Sequence, residues 1–180
     1  MGERIFMVPE TGGEYEVKLY KARNFPYEWE NVSTLIEGYR YIDPTIFYHK
    51  NKWWMFLTDP SNGLLNLYFS HNLYSGWKSH PMNPIIKNNK NISRPAGKVF
   101  KYNDSLYRLA QDDEPSYGIS VNAFEIIHIS EKSYSEKPAS EYPLVTKSNR
   151  SNKWNAAGMH HLDLHKIGDR WIGIVDGRKW

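Results

Sequence analysis

Lys52-Trp53-Trp54-Met55-Phe56-Leu57 is a dense run of aromatic and aliphatic side chains just beyond a polar turn, His49-Lys50-Asn51. Two stretches of the same character follow it. Ser105-Leu106-Tyr107-Arg108-Leu109-Ala110 lies beyond Asn103-Asp104, and Arg170-Trp171-Ile172-Gly173-Ile174-Val175 lies beyond Gly168-Asp169. An apolar stretch precedes each turn, so each run reads as the second strand of a hairpin. A second pattern interleaves with the first. Leu19-Tyr20 is followed ten positions on by Trp29, Leu67-Tyr68 by Trp77, and Phe124-Glu125 by Tyr134. Each of these copies ends in an apolar pair: Leu35-Ile36, Ile85-Ile86 and Leu144-Val145. A diverged repeat of roughly fifty to sixty-five residues, built from short strands, is the mark of propeller blades. The predicted fold is therefore all-β, a β-propeller with no helix longer than about three turns.

Composition agrees. A chain of 180 residues with 40% hydrophobic side chains can bury one core, and 7 Trp with 13 Tyr favour strands. No apolar stretch is long enough to span a membrane as a helix. The net charge of +3 comes from scattered Lys and Arg, which argues against a nucleic-acid surface. With no Cys there are no disulfides and no thiolate metal sites. Met1-Gly2-Glu3-Arg4 runs straight into a strand without a visible signal peptide, which tips the expected compartment toward the cytoplasm.

Read as blades, the chain gives approximately 4–38, 45–87, 97–147 and 161–180, all within one propeller fragment over 1–180. That is about three and a half blades, whereas a closed ring needs at least four. The expectation is that the missing blades lie before residue 1, after residue 180, or both. The alternative is a small open assembly with exposed strand edges.

The inner strand of each propeller blade lines the central axis, so polar residues at its start converge on one funnel. The repeat alignment places Asp43, Arg94 and the pair His160-His161 just upstream of the inner strands. It stacks Glu10, Thr58, Gln111 and Asp176 at the ends of the second strands, with Asp112 one place beyond. These residues are the predicted site: Asp43, Glu10 and Asp112 as candidate catalytic carboxylates, and Arg94, Gln111, His160, His161 and Asp176 as candidate ligand contacts. Each also has a plainer reading. Asp43-Pro44 and Arg94-Pro95 can be turn chemistry. The histidines can be structural, and no metal-ligand motif surrounds them, so no metal site is assigned. The run Gln111-Asp112-Asp113-Glu114 can be a solvated loop or, as oxygen donors, a structural Ca²⁺ site; otherwise no cofactor is expected. Trp53, Trp77 and Trp171 sit at core spacing and are expected to be buried in blade packing.

Asp43-Pro44-Thr45-Ile46-Phe47 followed by Lys52-Trp53-Trp54-Met55-Phe56 resembles the five-bladed propellers of glycoside hydrolase family 43. A wider set is similar to the N-terminal propeller of glucosamine inositolphosphorylceramide transferases and their bacterial homologues. It comprises Phe6-Met7-Val8-Pro9-Glu10, Leu19-Tyr20-Lys21-Ala22 with Phe25-Pro26, Trp53-Trp54, Arg94-Pro95 with Gly97, Gln111-Asp112-Asp113, and Trp154-Asn155-Ala156-Ala157-Gly158-Met159-His160. The resemblance implies a five-bladed ring, a carbohydrate or glycolipid partner, and transferase chemistry on another domain of a longer chain. In the hydrolases an Asp base, a second Asp and a Glu acid come from three blades. Asp43 matches the second Asp, the base would precede residue 1, and Arg94 stands where the acid should be. Without an acid the two-carboxylate mechanism fails unless Glu10 or Asp112 substitutes. Two functional readings follow. One is a carbohydrate-recognising propeller accessory to glycan or glycolipid assembly, with Arg94 gripping an anionic group. The other is a glycoside-processing enzyme acting through Asp43 with Glu10, Asp112 or Asp176. A structural or protein-binding propeller is the third.

Overall fold

The computed structural model describes residues 4–179; Met1, Gly2, Glu3 and Trp180, including the start on which the signal-peptide reading rested, lie outside the described residues. Among the described residues fourteen strands form four antiparallel sheets, each contiguous in sequence. The first sheet is β1 (Phe6–Met7), β2 (Glu16–Asn24) and β3 (Glu28–Glu37). The second is β4 (Ile42–His49), β5 (Lys52–Thr58), β6 (Leu65–Ser70) and β7 (Lys78–Ser79). The third joins β8 (Phe100–Tyr102), β9 (Ser105–Asp112), β10 (Ser120–Ile129) and β11 (Tyr134–Pro138), with β12 (Val145–Thr146) also paired to β10. The fourth is the hairpin β13 (Leu162–Ile167) and β14 (Arg170–Val175). The only helical turn among the described residues is a short 3-10 segment, Gly12–Glu14.

Strand alternation explains how the sheets stack. Successive side chains of a strand point to opposite faces. Met55 and Leu57 of β5 pack on Val17, Leu19, Leu35 and Ile36 of the first sheet. Trp54 and Phe56, one step out of phase, pack on Ile126, Ile129 and Tyr134 of the third. β9 repeats the device, with Leu109 joining Val121, Ala123 and Leu162 of the fourth sheet. Three apolar layers thus separate four sheets laid face to face.

Among the described residues the buried tryptophan is Trp54, 2% exposed, and not its neighbour. Trp53, Trp77 and Trp171 are each half-buried, contrary to the expectation from core spacing. In β5 the two faces both carry large side chains, so the repeat spacing identified the strand but not which of two adjacent indoles points inward.

A buried arginine crosses a core layer. Arg108 of β9 is 1% exposed and lies in the layer between the second and third sheets. Its Nε donates to Glu136 Oε2 at 2.8 Å and its Nη1 to the Ile92 carbonyl at 2.9 Å, while Nη2 pairs with Glu136 Oε1. The guanidinium lies 4.9 Å from the Phe124 ring centroid, and the Tyr134 hydroxyl also donates to Glu136.

Gly97 sets the join to the fourth sheet. Its φ is +144°, and a Cβ there would lie 2.1 Å from the Leu162 carbonyl oxygen. Only glycine lets the two backbones approach so closely. Leu162 N then donates to Ala96 O at 2.8 Å, tying β13 to the segment that leads into β8.

Candidate functional site

Asp43 falls inside β4, whose pairing with β5 slips between Ile42 and Thr45. Its φ is +48° although it precedes Pro44, a position that sterics push toward extended backbone. Such a left-handed residue costs on the order of 1–3 kcal/mol and is held only by strong surroundings. Those surroundings are Arg94 and Gln111. Arg94 Nε donates to Asp43 Oδ2 at 2.5 Å, and Gln111 Nε2 donates to the same oxygen at 3.0 Å. Gln111 Nε2 also reaches the Pro95 carbonyl at 2.8 Å, and Arg94 Nη1 touches Asn62 Oδ1 at 3.4 Å.

Tyr117 links this pair to the histidines. The Arg94 guanidinium lies 5.1 Å from the Tyr117 ring centroid and that of Arg178 lies 5.4 Å from it. The His160 ring is 5.0 Å away, centroid to centroid. Asp176 holds the histidine segment: its Oδ1 accepts from His160 N at 3.0 Å and His161 N at 2.8 Å, and its Oδ2 pairs with His160 Nδ1. Gly118, at φ +59°, makes the approach possible, because a Cβ there would lie 2.5 Å from His160 Cβ.

The structure thus gathers Asp43, Arg94, Gln111, His160 and Asp176 around Tyr117, with Glu10 beside Asp43. His161 is exposed and lines a cavity of about 460 Å³ that also touches Glu10, Asp43, Pro95 and Trp53. Asp112 is turned away from this group. Its Oδ1 accepts from Asn91 Nδ2 at 2.7 Å and from Glu114 N at 3.3 Å. Its neighbour Asp113 takes the place expected of it, 7% exposed, with Oδ1 accepting from Gly118 N at 2.8 Å. Alternation puts Gln111 and Asp113 in phase and Asp112 out of phase. Tyr117 was missed, and Asp113 was named only within the acidic run. The Pro115-Ser116-Tyr117-Gly118 turn just after the acidic run was the available signal for Tyr117.

The charges are coupled. Burial pushes the Asp113 carboxyl up, with Arg94 and His160 pulling against it. Partial burial and the charge of Asp43 likewise raise Glu10, against Arg94. Burial opposes the Arg94 charge, but Asp43 outweighs it, and the guanidinium is held more firmly protonated than usual. Burial raises the Tyr117 phenol, with Asp43, Asp113 and Asp176 adding to it and Arg94 opposing. Among the described residues no cluster of three or more His, Asp or Glu is arranged to hold a metal ion.

The family model for the N-terminal region of glucosamine inositolphosphorylceramide transferase 1 matches residues 1–178. The chain belongs to that family. It is 31% identical over 181 residues to glucosamine inositolphosphorylceramide transferase 1 of Oryza sativa subsp. japonica, covering 96% of this chain and 24% of that protein. The Arabidopsis thaliana protein of the same name is 32% identical over 183 residues, covering 96% and 23%. The chain therefore spans about a quarter of the length of these family members. Its fold is similar to glycoside hydrolase propellers. The family 32 β-fructofuranosidase of Bombyx mori superposes with a TM-score of 0.61 at 15% identity, covering 96% of this chain and 37% of the enzyme. An α-L-arabinofuranosidase from Podospora anserina gives 0.59 at 16%, covering 99% and 63%. These likenesses establish a β-propeller fold of the glycosyl hydrolase type. No helix among the described residues is long and apolar enough to cross a membrane.

Proposed function

We propose that this chain is a carbohydrate-recognising propeller that serves glycan or glycolipid assembly within a longer protein. The observation that carries the reading is the strained Asp43, fixed by Arg94 and Gln111 at the edge of the cavity. Its volume lies within the range of small-ligand sites, roughly 300–1,000 Å³. Aromatic and aliphatic walls from Phe6, Pro44 and Trp53 face polar groups from Glu10, Lys98, His161 and Asp163, the mix that a sugar ring with one apolar face requires.

The enzymatic reading has one observation in its favour: Glu10 is raised beside Asp43, as a general acid beside a carboxylate should be. The geometry argues against it. Arg94 stands where the resemblance to the hydrolases calls for the acid, and a guanidinium held protonated gives no proton to a leaving oxygen. Arg94 also occupies Asp43 Oδ2.

The ring itself we take to be five-bladed, with the four sheets supplying part of it and the rest coming from other segments of the longer protein. The two-stranded fourth sheet, with Ile172 and Ile174 exposed, supports this. Binding to a glycan panel, run beside turnover of aryl glycosides, tests the function. Expected are saturable binding that Asp43→Asn and Arg94→Lys weaken, and no turnover. Hydrolysis that depends on Glu10 or Asp43 would transfer the site to the enzymatic reading.

A further inference from the structure

Trp53 has the sequence spacing of a core residue, yet it lies outside the three apolar layers formed by the described residues. It is half-buried and lines the same cavity as Glu10 and Asp43, with its indole against the Tyr48 ring at 4.9 Å between centroids. It stands at the far end of that cavity. Trp53 pairs with Tyr48, five residues along β4 from Asp43, so the two ends are about 15 Å apart at roughly 3.3 Å per residue. That exceeds the width of one sugar ring.

The wall between the two ends carries charge. Leu162 N donates to Ala96 O at 2.8 Å, which sets the start of β13 level with the segment leading into β8. Lys98 and Asp163, just beyond that bond, line the cavity deeper than Pro95 and His161. Lys98 Nζ stands 3.5 Å from Asp163 Oδ1, and the two side chains are 40% and 31% exposed. A hydrocarbon tail continuing from a first ring would strip water from this pair without replacing its hydrogen bonds, whereas a second sugar ring offers hydroxyls to both. The indole beyond them presents a flat apolar face, which suits the C–H face of such a ring.

We propose that the cavity binds two consecutive sugar rings of one glycan, the first among Glu10, Asp43 and His161, the second stacked on Trp53 beside Lys98 and Asp163. This rests on the carbohydrate reading above and deepens it. Trp53 then sets the length of glycan that is recognised, which accounts for a tryptophan of core spacing left out of the core.

Ligand-observed NMR titration of the chain tests the proposal with methyl glycosides of the cello, xylo, manno and arabino series, each as monomer and dimer, and with the octyl glycoside of each monomer. In a series that binds, the dimer should bind about tenfold or more tightly than the monomer, equivalent to about 1.4 kcal/mol. Trp53→Ala should bring that ratio down to about threefold or less, whereas Asp43→Asn should weaken monomer and dimer together and leave the ratio high. A wild-type ratio near one overturns the proposal and leaves the carbohydrate reading standing. So does a folded Trp53→Ala with the ratio unchanged. An octyl glycoside that binds as tightly as the dimer also overturns it, since the far end then takes a hydrocarbon. If no series binds, the carbohydrate reading falls and takes the proposal with it. Should Trp53→Ala fail to fold, Lys98→Met replaces it, with the same loss of ratio expected and an unchanged ratio overturning the proposal.

Discussion

Arg108→Met removes the guanidinium buried between the second and third sheets. It leaves Glu136, whose side chain is 11% exposed, without its cation, and empties the place the guanidinium holds beside Phe56 and Phe124. Breaking a buried pair on one side costs about 3–5 kcal/mol, because the remaining charge is neither solvated nor paired. Met fills much of the same volume, so little of this is cavity. The Ile92 carbonyl also loses its donor, and the Tyr134 hydroxyl keeps Glu136 as acceptor. Taking about 2–4 °C per kcal/mol for a domain of this size, melting should fall by about 6–20 °C. Urea titration and calorimetry on the single mutant and on Arg108→Met/Glu136→Gln give the answer. The double mutant should recover most of the loss, since it leaves no buried charge. A single mutant within about 1 kcal/mol of wild type, or a double mutant worse than the single, would refute the reasoning.

Three further outcomes follow from the packing and the site. Trp54→Ala should cost about 3–5 kcal/mol, the range for a buried aromatic, and Trp53→Ala clearly less; equal losses in urea titrations would contradict the assignment of faces in β5. Gly118→Ala must displace the segment carrying His160 and twist a left-handed residue, so stability should fall and glycan binding weaken; unchanged binding would show that Tyr117 and His160 do not shape the site. The last concerns pH. Asp113 has a raised carboxyl, so across the window from the ordinary carboxylate value up to its raised one the folded state holds more protons than the unfolded. Stability from this group is present at the acid side and is lost as pH rises through that window. Asp113→Asn should flatten that fall in a plot of urea midpoint against pH, and a steeper fall in the mutant would contradict the burial of the carboxyl.

The strands, their grouping and the approach of distant polar residues were legible in the sequence. They depend on local periodicity: turn residues bounding apolar runs, repeated at blade spacing, leave few pairings other than successive antiparallel sheets. Asp43, Arg94 and the His160 segment were identified because equivalent positions of a repeat meet at one end of it. What the sequence did not disclose is which way adjacent side chains point. Trp53 against Trp54 and Asp112 against Asp113 are each a one-residue question of phase, settled by packing on the neighbouring sheet, and both sides of the strand offer plausible residues. Arg108 with Glu136 is a pairing across 28 residues, set by the β9–β10–β11 register and unmarked by any motif. The same holds for the bracing of Asp43. An Asp, an Arg and a Gln from separate parts of the chain read as three independent ligand contacts. Only their meeting in space, at 2.5 Å and 3.0 Å on a single oxygen, shows Arg94 and Gln111 bracing Asp43.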